Sequence, residues 1–79
     1  MAIDFSSLLT SDQKRQLLEG RIAQFASEAF QHSLNLKTAE SLNADEDQIA
    51  TTKKAMETLE AAIQIHQEEL NLLPPKLLD

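Results

Sequence analysis

The stretch NADED, at residues 43–47, separates two long segments of helix-forming residues and decides the fold. Asn43 or Asp45 suits the N-cap of a helix, where a side-chain oxygen accepts a hydrogen bond from a free backbone amide. The three acids after Ala44 lie where the helix dipole favours negative charge. We therefore predict a break at residues 42 to 45, with one helix before it and a second helix after it.

The outer ends of the two helices carry signals of their own. Thr10-Ser11-Asp12-Gln13 fits a capping box, in which the first and fourth residues satisfy each other's backbone amides. Pro74-Pro75 cannot continue a helix. These signals predict helices over residues 11–42 and 45–72, each about 40–48 Å long at 1.5 Å per residue. Their similar length favours an antiparallel hairpin.

Apolar positions recur along both predicted helices at alternating steps of three and four residues, which is the heptad spacing of a coiled coil. The first stripe consists of Leu18, Ile22, Phe25, Ala29, His32, Leu36 and Ala39. The second consists of Ile49, Thr52, Met56, Leu59, Ile63, His66, Leu70 and Leu73. A short turn pairs Ala29 with Leu59 and Phe25 with Ile63. The predicted fold is therefore all-α: a coiled-coil-like antiparallel helical hairpin, in one domain over residues 1–79.

Short segments flank the hairpin. Residues 5–9 are predicted to form a short N-terminal helix, capped by Asp4 or Ser6, that joins the open end of the hairpin. Residues 73–79 form a Pro-containing tail. The leucines around the two prolines either make a docking tail or fold over the open end, and the sequence favours neither: Leu70, Leu72, Leu73, Leu77 and Leu78.

A second apolar edge remains once the two stripes face each other. Its members are Ala23, Ala26, Phe30, Leu34 and Ile65. The N-terminal segment lies too far away to cover Phe30 and Leu34, and an uncovered apolar patch is typical of an interaction site. A chain of 79 residues without cysteine also lacks the disulfides that small domains use for extra stability. We therefore predict a homo-oligomer that forms through this edge.

Charge and composition exclude several classes of function. The chain has 13 acidic and 7 basic residues, for a net charge of −6, which opposes direct binding to nucleic acid. No uncharged apolar run approaches the roughly 20 residues that span a bilayer. The first residues lack the basic and apolar regions of a signal peptide. We expect a soluble cytoplasmic protein.

Catalytic patterns are missing as well. Cysteine is absent, and the single Gly20 excludes a phosphate-binding loop. His32 and His66 would lie about 15 Å apart along the hairpin, too far to share one metal ion. We predict that the chain is not an enzyme, with no catalytic residue, no metal site and no cofactor.

Two alternatives to simple protein binding stay open. An acidic surface formed by Asp45, Glu46, Asp47, Glu57 and Glu60 could imitate nucleic acid and act as an inhibitor that blocks a basic groove on another protein. Such runs are usually only solvated helix faces. Alternatively, protomers could hold a small anionic ligand as a sponge, through Arg21, Lys53, Lys54 or the histidines.

Two stretches carry a resemblance to known proteins. Phe5-x-x-Leu8-Leu9-Thr10-x-x-Gln13-Lys14 and Leu59-Glu60-Ala61-Ala62-Ile63-x-x-His66-Gln67 resemble small uncharacterised helical-hairpin proteins encoded by tailed bacteriophages. The resemblance spans most of the chain. It implies a phage origin, a place in the host cytoplasm and a role as an accessory or host-takeover factor that binds a host or virion protein. It implies no activity and no functional residue.

Overall fold

The computed structural model describes residues 4–75, which form a short 3₁₀ helix and two long α-helices. The 3₁₀ helix covers Phe5–Leu8, α1 covers Ser11–Ser41 and α2 covers Glu46–Asn71. The two α-helices pack against each other as an antiparallel hairpin, and no strand occurs within residues 4–75. The predicted all-α hairpin is therefore confirmed. Residues 76–79 of the predicted tail, with Leu77 and Leu78, lie outside the described residues.

The 3₁₀ helix and α1 are each preceded by a residue whose side chain caps the helix. Asp4 Oδ1 accepts a hydrogen bond from the Ser6 amide at 3.1 Å, so Asp4 caps the 3₁₀ helix. At the start of α1, Thr10 Oγ1 accepts from the Gln13 amide at 3.1 Å. Gln13 Oε1 accepts in turn from the Thr10 amide at 2.9 Å. The capping box predicted from the sequence is thus complete.

The turn between the helices contains two different caps. The Ala44 amide donates to the Ala39 carbonyl at 2.9 Å, and the Asn43 amide donates to the Glu40 carbonyl at 3.3 Å. This pair of bonds is a Schellman motif, and Asn43 has the left-handed backbone that the motif requires, with φ of 55°. Asp45 is the N-cap of α2 and accepts from the Asp47 amide. Of the two candidate N-caps, Asn43 therefore ends α1 and Asp45 begins α2.

Each of the two helices is covered on only one side, the side that faces the other helix. All fifteen residues of the two predicted stripes, hereafter the seam, are half-buried. No residue between 4 and 75 is fully buried. The molecule measures 14 Å in its thinnest direction, which is close to the diameter of a single helix with side chains. The hairpin is therefore one layer thick, with two broad faces open to solvent.

Candidate functional site

Two shallow grooves show which flanks of the helices share a face. At the open end, Lys14 and Leu17 of α1 line a groove with Glu69 of α2 and with Leu72, which follows the last residue of that helix. Near the turn, Asn35 and Leu42 line a second groove with Gln48. Lys14, Asn35 and Leu42 are separated by multiples of seven residues, as are Gln48 and Glu69, so both grooves lie on the same face.

We call this surface the neutral face, because its charges cancel. Heptad spacing from the groove residues adds Arg21 and Glu28 on α1. With Lys14 and Glu69, the face then carries two cations and two acids. On α2 the same spacing adds an uncharged strip of Thr51, Ala55, Thr58, Ala62 and Ile65. Ile65 is 58% exposed and Leu17 is 51% exposed. The neutral face therefore combines exposed apolar side chains with balanced charge.

The opposite surface, the acidic face, has a different composition. Asp12, Arg15 and Glu19 line a small groove on it. Heptad spacing adds the acids Glu40, Glu46, Glu57 and Glu60 and the bases Lys37 and Lys53. One base is already paired, because Arg15 Nη1 lies 3.1 Å from Asp12 Oδ1. Phe30 protrudes from this face and is 64% exposed. An apolar ring is thus exposed on a face that carries more acids than bases.

The five residues of the predicted oligomer edge do not form one surface. All five are exposed. Ala23, Ala26 and Phe30 lie on the acidic face, and Leu34 lies on the outer side of α1, away from α2. Ile65 lies on the neutral face. In an antiparallel pair, the flank of α1 that carries Phe30 lies beside the flank of α2 that carries Glu60. Ile65 lies on the opposite flank of α2.

The five residues of the predicted acidic surface are also distributed among three locations. Glu46, Glu57 and Glu60 lie on the acidic face. Asp45 is occupied as the N-cap of α2, and Asp47 lies on the outer side of that helix. All five are exposed. The structure adds Asp12, Glu19 and Glu40 from α1 to this face, which the acid-rich stretches alone did not single out.

The N-terminal segment lies at the open end of the hairpin. Phe5 and Leu9 line the open-end groove, which has a volume of about 390 Å³. Lys14 Nζ donates to Ser6 Oγ at 2.8 Å and ties this segment to α1. On the other side, Arg15 Nη2 donates to the Pro74 carbonyl at 2.6 Å. Ser6 and Pro74 are therefore both held against the first turns of α1, while Leu72 stays 77% exposed.

The residues considered for ligand binding are only partly brought together. The Arg21 guanidinium lies 5.3 Å from the centre of the Phe25 ring, and the His66 ring contacts the same phenyl group. Lys53 and Lys54 are about 20 Å further along α2. His32 lines the groove near the turn. Within residues 4–75, no group of three His, Asp or Glu residues is placed to hold a metal ion.

Comparisons of the chain with protein-family models, with curated proteins and with solved structures found no match. The resemblance to phage hairpin proteins therefore stays a prediction. None of the helices within residues 4–75 has the length and apolar character needed to cross a membrane.

Proposed function

We propose that the chain is a non-enzymatic protein–protein interaction module that acts as a homo-oligomer. The observation that carries this proposal is the absence of any fully buried residue between positions 4 and 75, although large apolar side chains stay exposed. A small domain with a half-buried seam has little apolar burial to offset the loss of conformational entropy on folding. Association with another chain would supply the missing burial.

Surface area supports the same proposal. The chain exposes 6562 Å², whereas monomeric proteins of its 8.8 kDa mass expose roughly 4,800 Å². The difference of roughly 1,800 Å² exceeds the roughly 800 Å² that one partner contributes to a standard interface. Even if the seven residues outside 4–75 were fully exposed, an excess of roughly 1,000 Å² would remain. The excess exposed surface of the hairpin is therefore large enough to form one side of a standard interface.

Self-association can be tested with the purified chain. Sedimentation equilibrium should give a mass above 8.8 kDa at micromolar concentration. The urea midpoint should rise with protein concentration, because an oligomer that binds only the folded state stabilises it by mass action. A monomer with a concentration-independent midpoint would contradict the homo-oligomer.

The identity of a further partner rests on the predicted phage resemblance. With a phage origin, the oligomer would be an accessory or host-takeover factor that binds a host or virion protein. Affinity capture from the host lysate, followed by mass spectrometry, tests this. The same capture with the Phe30→Ser variant shows whether the exposed ring contributes to binding.

A second candidate function is an acidic inhibitor that blocks a nucleic-acid-binding site on a host defence or transcription protein. It is favoured by the excess of acids over bases on the face that surrounds Phe30. Binding through this face should weaken steeply between about 100 and 500 mM salt, because exposed charges are screened over distances of about 10 Å or less. Apolar docking should change little over the same range, so salt dependence separates the two functions.

A further inference from the structure

We propose that a second copy of this chain covers the neutral face, so that two hairpins form a four-helix bundle with the acidic faces outside. This inference rests on the proposed homo-oligomer and adds which surface the second copy uses. It also separates Ile65, which the second copy would cover, from Phe30, which would stay accessible.

Charge distinguishes the two faces as self-association surfaces. In a twofold dimer, the same surface of each protomer meets its partner. Pairing of two acidic faces would bring six acids, with three bases, against an identical set, and like charges at an interface oppose association. On the neutral face, Lys14 and Arg21 balance Glu28 and Glu69. Two copies can therefore meet there with matched charge.

The α2 side of the neutral face is also easy to desolvate. Between Gln48 and Glu69, its strip of five residues carries no charge over about 30 Å of helix. Removing an unpaired charge from water is far more unfavourable than removing apolar or small polar groups. On the acidic face the same length of α2 contains Lys53, Glu57 and Glu60. Burial of that flank would leave charged groups without water.

The dimensions of the neutral face suit one partner hairpin. From Lys14 to Leu42 the face, including the N-terminal segment that lies at its open end, is about 42 Å long, and two adjacent helices are about 20 Å wide. The resulting area of roughly 840 Å² matches the roughly 800 Å² per partner of a standard interface. It is also less than the excess surface of the chain. Exposed Leu17, Ile65 and Leu72 would supply its apolar contacts.

A matched pair of substitutions tests the assignment. Ile65→Glu and Phe30→Glu each replace an exposed apolar residue inside a helix with the same acid, one on each face. Sedimentation equilibrium should show self-association weakened at least tenfold by Ile65→Glu and less than threefold by Phe30→Glu. Circular dichroism checks that both variants stay helical. Thr58→Glu and Gln64→Glu form a second pair at exposed polar positions, for use if either first variant unfolds.

Each outcome has a definite meaning. If the Phe30→Glu variant dissociates and Ile65→Glu does not, or if the two behave alike, the neutral face is not the contact between copies, although the homo-oligomer stands. If the unmodified chain is monomeric at every concentration, the homo-oligomer itself fails. Selective dissociation of Ile65→Glu, or of Thr58→Glu where the second pair is used, supports the four-helix bundle.

Discussion

Phe25 of α1 and His66 of α2 meet edge to face across the seam, with ring centroids 5.0 Å apart and planes inclined at 76°. His66 Nδ1 lies 2.6 Å from the Ala62 carbonyl oxygen. Because a carbonyl oxygen can only accept, Nδ1 must carry the proton of this hydrogen bond. The imidazole is thus held by one bond to its own helix and one aromatic contact to the other. These two contacts explain how a polar ring can occupy the seam.

The contact between the two rings should be measurable as a coupling energy. We expect a double-mutant cycle of Phe25→Leu and His66→Leu to give about 0.5–1.5 kcal/mol, the range of aromatic pairs. The free energies of unfolding come from urea titrations at one protein concentration. A cycle of Phe25→Leu with His32→Leu, two turns away on α1, should give less than about 0.5 kcal/mol. Equal coupling in both cycles would argue against a specific ring contact.

Seam burial should determine the effect of leucine truncation. We expect Leu59→Ala to lower the free energy of unfolding by about 2 kcal/mol, the lower end of the range for buried leucine, because Leu59 is half-buried. Leu34→Ala is the matched control at a position 47% exposed, and it should lower stability by less than about 1 kcal/mol. The order would be reversed if the seam faced solvent.

The turn depends on the left-handed backbone at Asn43, where φ is 55°. Glycine adopts this conformation freely, so Asn43→Gly should leave stability within about 0.5 kcal/mol of the parent. Valine is β-branched and resists it, so Asn43→Val should lower stability by about 1–2 kcal/mol. Thermal or urea unfolding of the two variants checks this. Equal stability would mean that the Schellman motif does not form.

The capping box should stabilise the start of α1. Thr10→Ala removes the acceptor of the Gln13 amide and should lower the free energy of unfolding by about 1 kcal/mol. Thr10→Ser keeps an oxygen at the same position and should retain most of that stability. Thr38→Ala serves as control, because Thr38 Oγ1 only donates to the Leu34 carbonyl within the helix. A similar loss for Thr10→Ala and Thr38→Ala would show that the cap contributes nothing specific.

Local sequence signals were sufficient to predict the helices of this fold and the position of the turn between them. The Thr10–Gln13 capping box acts through residues three positions apart, and the heptad stripes depend only on the helical repeat. Such short-range patterns are present in the chain before any tertiary contact forms. The turn was located in the same way, although the sequence did not distinguish Asn43 from Asp45 as the N-cap. Both suit that position, and the choice depends on where α1 ends.

The two faces were decided only by tertiary structure. From the sequence, Phe30 and Ile65 both flank a seam, and nothing local to either residue shows whether they share a surface. The answer depends on the antiparallel direction of α2, which brings one flank of each helix onto the same side and places these two residues on opposite sides. The charges are divided in the same way. Glu57 and Glu60 lie on the face with Phe30, whereas the uncharged Ala62 lies on the face with Ile65. Composition determined the net charge of −6, but the packing of one helix on another determined where that charge lies.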